Sequence, residues 1–333
     1  DIVIAPGSKM IIYTVMACYK NATVLLPQPS WVSYAPQAKL LDHTVDLIPT
    51  DFDAQWKIKP DTFNNVCKKH PNTTRILVLN YPGNPTGMTY TASELEALAK
   101  VAKEHNVLVI SDEIYGWLNH NNSHVSIADY YPEGTFITTG LSKWCGAGGW
   151  RFGAGIFPFN ASKEFKKTYY GIASETYSTT AAPVQYTATE IYNNMDQLQP
   201  FIHAQQQILS KLSHIIVHQL QQANVRIHQS QGGFYIFPDF SNYKDALLAK
   251  GVDTAEALCV ELLNNEGVAM LPASAFGFSP EHLYTRMCYV DFNGTDAIHA
   301  FQNGETLDAA FFNQYAPSVI NGITALTSYL KRL

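Results

Sequence analysis

One lysine stands in the run TTGLSKWCGAGGWRFG, Thr138 to Gly153, and Arg151 lies near its end. By itself Lys143 can be read as a solvated surface charge, part of a nucleotide loop, or a nucleophile. Other groups able to do chemistry lie far from it in sequence. They are Gly7, Ser8 and Lys9 in APGSKM, Trp31 in QPSWVSY, Asn84 in NYPGNPTG, Asp112 and Tyr115 in SDEIYGWL, and Arg286 in YTRMCYV. The nucleotide loop fails on spacing. Arg151 stands where a GxGxxG beginning at Gly146 needs its last glycine, and GSKM lacks the upstream glycine and following Ser/Thr of a phosphate loop. No GxSxG and no HExxH occurs, so a serine-hydrolase elbow and a zinc-hydrolase helix are both missing.

These residues need elements to position them. The runs TVLLP (23–27), RILVLN (75–80), VLVISD (107–112), TFITT (135–139) and GAGIF (153–157) lack polar alternation. They read as strands covered on both faces. The clearest helix between them covers 92–105. Thr91 and Glu94 form a capping box, and Leu95, Leu98, Ala99 and Ala102 make one apolar stripe. This alternation predicts an α/β fold with a mainly parallel sheet. After about residue 200 the pattern changes. FIHAQQQILSKLSHIIVHQL reads as one long helix, followed by VRIHQ, GGFYIF, a helix over 254–264, GVAML and YTRMCYV. The expected organisation is a large domain over 1–205 and a smaller C-terminal α+β domain over 206–333.

Ligands of open parallel sheets gather at the carboxyl ends of the strands. Gly7 to Lys9, Asn80 to Gly87, Asp112 to Tyr115 and Gly140 to Lys143 each follow a strand, so they are expected on one rim. A lysine with an aspartate, an asparagine, a tyrosine and an arginine at strand ends suits pyridoxal phosphate chemistry. The lysine forms a Schiff base, and a carboxylate pairs with the pyridine nitrogen so that the ring can accept electrons. The phosphate needs backbone N–H groups at a helix start and an arginine.

NYPGNPTG, SDEIYGWL and GLSKWCGAGGWRFG, in that order, resemble the fold type I aminotransferases of the aspartate aminotransferase class (class I/II). GVAMLPASAFG and YTRMCYV extend the likeness towards the C-terminus. The resemblance implies a seven-stranded, mainly parallel sheet and pyridoxal 5'-phosphate as cofactor. It implies transfer of an amino group between an L-amino acid and a 2-oxo acid in a homodimer. On this likeness Lys143 is the Schiff-base lysine, Asp112 faces the pyridine nitrogen, and Asn84 and Tyr115 donate to the cofactor's phenolic oxygen. Trp31 stacks on the ring, with Tyr34 a further neighbour. Gly7, Ser8, Lys9 and Arg151 bind the phosphate. Lys143, Asp112 and Tyr115 form the catalytic set.

On the substrate side, Arg286 takes the α-carboxylate with Asn84 beside it, and Lys9 is placed to meet a distal carboxylate. Aspartate, glutamate and aromatic amino acids are the candidate donors. Many members carry Ser or Thr three residues before the lysine; Gly140 stands there, as in the bacterial-type aspartate and prephenate branch. Members also carry an N-terminal segment, ahead of the phosphate-binding helix, that this sequence lacks. Two other readings share these residues. One is a pyridoxal phosphate lyase (a C–S lyase or an aminocyclopropanecarboxylate synthase-like enzyme). The other is a non-catalytic aminotransferase-like regulatory domain.

Bulk properties narrow the partners. The 333 residues carry a net charge of −6 with no dense basic block, which argues against nucleic acid. No apolar run reaches the length of a membrane span. Cys18, Cys67, Cys145, Cys259 and Cys288 are widely spaced, so neither a zinc site nor a disulfide framework is expected. A reduced, cytoplasmic setting follows as the expectation. Five Asn-x-Ser/Thr triplets, at Asn21, Asn72, Asn121, Asn160 and Asn293, leave secretion open.

Overall fold

The structure, a computed structural model, describes all residues from Asp1 to Leu333. The apolar runs of the first half form one seven-stranded sheet. Its strands are β1 (Ile2–Ala5), β2 (Thr23–Gln28), β3 (Thr44–Pro49), β4 (Arg75–Asn80), β5 (Leu108–Asp112), β6 (Thr135–Gly140) and β7 (Gly153–Ile156). They lie in the order β1-β7-β6-β5-β4-β2-β3. The pairs from β3 through β2, β4 and β5 to β6 are parallel; β7 runs antiparallel to both β6 and β1.

Consecutive strand residues face opposite sides of a sheet. Here Val24, Leu26, Val78 and Ile110 join one buried cluster with Ile11, Val15 and Tyr169. Leu25, Leu77, Leu79 and Val109 join the other with Leu95 and Leu98. Helices therefore cover both faces, which is why these strands show no polar alternation. The helix Ala92–Glu104 carries the expected capping box between Thr91 and Glu94, and its buried residues are Leu95, Leu98, Ala99 and Ala102. Strand β3 was not anticipated. It lies at the sheet edge, and in TVDLIP only Ile48 is buried, so its apolar signal is thin.

Two units make up the chain. The first comprises Asp1–Pro82, Thr89–Trp117 and Ser123–Gln199, and the second Gly83–Met88, Leu118–Asn122 and Pro200–Leu333. The second unit holds most of the long helix Met195–Gln222, and the helices Ala255–Glu266 and Pro317–Lys331. It also holds a small antiparallel sheet of β8 (Tyr235–Ile236), β9 (Leu271–Pro272) and β10 (Thr285–Cys288), in the order β8-β10-β9.

The apolar runs of the second unit contribute little to its sheet. VRIHQ has a lone bridge from Arg226 to Asp239, reinforced by Arg226 Nη1 on Asp239 Oδ2 at 3.0 Å. GGFYIF contributes the two-residue strand β8, and GVAML only Leu271 of β9. No helix is long and apolar enough to cross a membrane.

Candidate active site

Register sets out the first group of residues. On the sheet, Asn80 of β4 lies opposite Asp112 of β5, and Asp112 lies opposite Thr138 of β6. Asp112 is thus the last residue of a central strand, with its side chain 3% exposed. Its Oδ2 accepts a hydrogen bond from Tyr34 Oη at 2.6 Å, and Oδ1 accepts from the Ile114 N–H at 3.3 Å. Burial pushes the Asp112 carboxyl up to about 6, opposed by these two donors and by the charge of Lys143. The Tyr34 hydroxyl is itself pushed well above its ordinary value by burial and by the Asp112 carboxylate. It therefore stays protonated and donates.

Lys143 follows β6 in a tight turn, with the Gly146 N–H on its carbonyl at 3.0 Å. Its Nζ lies 5.7 Å from the centroid of the buried Tyr115 ring. Trp31 packs edge-on against Tyr34 with ring centroids 5.1 Å apart. Lys9 Nζ sits 4.9 Å over the Trp31 ring. Gln37 Nε2 ties the two segments together through the Lys9 carbonyl at 3.0 Å.

The helix Ser8–Ala17 begins at Gly7 without a side-chain cap and with no acidic residue in its first turn. Its first N–H groups suit an anion. Gly7 has φ 94°, and a Cβ there would stand 2.3 Å from Arg151 Nη2. A Cβ on Gly153 would lie 2.4 Å from the Gly7 carbonyl carbon and 2.5 Å from the Ser8 nitrogen. These glycines let the helix start, the first residue of β7 and the guanidinium crowd together. Arg151 has φ 54° and is fixed by Nη1 on the Gly148 carbonyl at 2.7 Å. Gly140 is also a steric requirement: its Cβ would stand 2.5 Å from the Phe152 carbonyl oxygen.

In the second unit, Arg286 lies on β10. Its Nη1 donates to Asn84 Oδ1 at 3.1 Å. The guanidinium sits 4.7 Å from the Tyr235 ring centroid and 5.4 Å from that of Phe276. Its Nε is buried and has no partner, a donor held ready for an acceptor. A planar fork between aromatic faces suits a carboxylate.

Contacts thus link Arg151 to Gly7, Lys9 to Trp31, Trp31 to Tyr34, Tyr34 to Asp112, and Lys143 to Tyr115 within the first unit. Within the second, Asn84 meets Arg286. Sequence reasoning missed three participants: Tyr34 as the donor to Asp112, and Tyr235 and Phe276 as platforms for Arg286. An aromatic residue in an apolar run looks the same whether it packs or donates, and no spacing marks the difference.

Residues 1–297 match the family model described as aminotransferase class I and II. An aspartate aminotransferase of Bacillus subtilis is 32% identical over 289 residues, 85% of this chain and 70% of that protein. An asparagine–oxo-acid transaminase of Streptococcus mutans is 31% identical over 290 residues, again 85% and 70%. The solved aspartate aminotransferase of Rhizobium meliloti has the same fold, with TM-score 0.81 over 100% of this chain and 76% of that one, at 22% identity. The seven-stranded sheet and a family match over residues 1–297 agree. The chain belongs to the class I and II aminotransferases, the transferases that work with pyridoxal phosphate.

Proposed function

We propose that the chain binds pyridoxal 5'-phosphate on the residues described above and transfers the amino group of a dicarboxylic amino acid, aspartate first, to a 2-oxo acid. The observation that carries the cofactor reading is the buried Asp112 at the end of β5, under the charge of Lys143 and the hydroxyl of Tyr34. The donor set fits the group. There is a buried carboxylate for a pyridine nitrogen and a crowded glycine–arginine cradle for a phosphate. The buried, unpartnered Arg286 Nε is ready for a carboxylate.

Each residue then has a task. Asp112, ionised beside a pyridinium, would keep the proton on that nitrogen. Arg151 and the N–H groups of Ser8 and Lys9, following Gly7, would hold the phosphate. Trp31 would cover one ring face, and Asn84 and Tyr115 would donate to the phenolic oxygen. Arg286 would grip the substrate α-carboxylate. Pyridoxal phosphate, when bound, supplies the sink for the electron pair left by the departing α-proton. The Lys143 amine would take that proton from the substrate α-carbon.

The dicarboxylate reading rests on Lys9, whose Nζ stands over the Trp31 ring. The relatives named aspartate aminotransferase support it. Kinetics of Lys9→Ala test it. The preference in kcat/KM for aspartate over alanine should fall by about tenfold or more; an unchanged ratio removes Lys9 from the account. Formation of a 2-oxo acid and ammonia without an acceptor would favour a lyase instead. A homodimer and a reducing, cytoplasmic setting complete the proposal, the latter in keeping with five free cysteines.

A further inference from the structure

Asn84 sits in a loop, Gly83–Met88, that has little regular structure of its own. The loop is held at its glycine. The Gly87 carbonyl accepts the N–H groups of Gln231 and Gly232 at 2.8 and 3.2 Å. Gly87 has φ 70°, and a Cβ there would stand 2.4 Å from the Tyr235 carbonyl oxygen and 2.5 Å from Ser230 Oγ. The turn at 230–233 therefore fits the loop closely, and it leads directly into the Tyr235 ring under Arg286.

That turn is clamped by one side chain. His120 is 4% exposed, with Nδ1 3.2 Å from the Ser230 carbonyl and Nε2 3.1 Å from the Gly233 carbonyl. Its backbone N–H reaches the Gln231 carbonyl at 3.0 Å, and the Gly233 N–H reaches the Leu118 carbonyl at 3.0 Å. Tyr289 Oη adds contacts to Ser230 Oγ at 3.4 Å and the Gly233 carbonyl at 3.3 Å.

We propose that His120 is a positioning residue: its imidazole braces the 230–233 turn and, through Gly87, keeps Asn84 hydrogen-bonded to Arg286. Burial pushes the imidazole down to about 4, so it is neutral at physiological pH. A neutral ring has one N–H and donates to one of the two carbonyls at a time. Either bond closes the turn. Nothing in the cofactor chemistry requires a histidine here, and the ring touches none of the residues assigned to cofactor or substrate. The role in substrate binding rests on the reading of Asn84 and Arg286 given above; the brace itself does not.

Hydrogen exchange and steady-state kinetics of His120→Phe and His120→Gln test the proposal together. In His120→Phe, amides of the segment 83–88 should exchange about tenfold faster while those of β4 keep their rates. KM for the amino acid should rise about tenfold with kcat little changed, as for a lost contact that serves ground and transition states alike. His120→Gln keeps an N–H donor and should recover most of both effects. Unchanged exchange at 83–88, acceleration spread equally over β4, or a wild-type KM with a loosened loop would each overturn the role. If His120→Phe does not fold, His120→Ala with added imidazole replaces it. Imidazole must then slow exchange at 83–88 and lower KM, and failure to do so overturns the brace. Exchange is read without turnover, so loss of the aminotransferase reading would leave that arm standing.

Discussion

Tyr34 holds its hydroxyl 2.6 Å from a carboxylate oxygen of Asp112, and both side chains are buried. The tyrosine comes from the helix Tyr34–Leu40, the aspartate from the end of β5, 78 residues later. A buried carboxylate without such a donor would keep its proton over a wider pH range. The bond lets Asp112 ionise within reach of neutral pH.

The first prediction concerns that ionisation. The folded carboxyl, at about 6, lies above its ordinary value of 3.8. The folded chain holds the proton between about pH 4 and 6, where the unfolded chain has released it. The stabilisation from this group is complete below pH 4 and lost as pH rises through 6. At pH 7 the deficit is about 3 kcal/mol. Denaturant unfolding of the cofactor-free protein should therefore show Asp112→Asn more stable than wild type at pH 7, by up to that amount, with the curves converging below pH 4. Tyr34→Phe should move the Asp112 titration upward, as read by carboxyl carbon NMR.

Gly140 yields the second. Its place before Lys143 is one where a hydroxyl would serve a phosphate, yet a Cβ would strike the Phe152 carbonyl oxygen at 2.5 Å and the Gly153 Cα at 3.2 Å. Both are backbone atoms, one just before β7 and the other in its first residue, which pairs with Gly140, so neither can swing aside as a side chain could. Gly140→Ser should lower stability by about 1–3 kcal/mol in denaturant unfolding and should not tighten cofactor binding. Tighter binding with unchanged stability would show that the strands part without cost.

Arg286 carries the third. Arg286→Lys keeps a charge but loses the fork, the buried Nε and the geometry of the bond to Asn84. The expected change is a fall of about 10²-fold in kcat/KM, mostly through KM, for amino acid and oxo acid alike. A loss confined to kcat would place the arginine in a different role.

The sheet was readable from sequence where strands are covered twice. RILVLN carries apolar residues at successive positions because its two faces join different buried clusters, Ile76 and Val78 one and Leu77 and Leu79 the other. The edge strand β3 and the two-residue strands β8 and β9 lack that signal. Lys143 and Asp112 stood out as charged groups following strands in motifs that resemble the aminotransferases, and Arg286 stood out through the likeness of YTRMCYV alone. Tyr34 stood out only as a neighbour of the ring and not as the donor to Asp112, and Tyr235 and His120 did not stand out at all. Their roles depend on which carboxylate, guanidinium or carbonyl the fold brings to them from far along the chain. Gly7, Gly140 and Gly153 were visible as glycines, but the backbone or guanidinium that forbids a Cβ at each is seen only in three dimensions.

The central claim is that Lys143 is the residue that takes up the cofactor. Protein reconstituted with pyridoxal phosphate, reduced with borohydride and mapped by peptide mass spectrometry tests it most directly. The account predicts a pyridoxyl group on the peptide carrying Lys143, and no stoichiometric labelling in Lys143→Ala. Labelling of another lysine in the wild-type protein, or none at all, would contradict it.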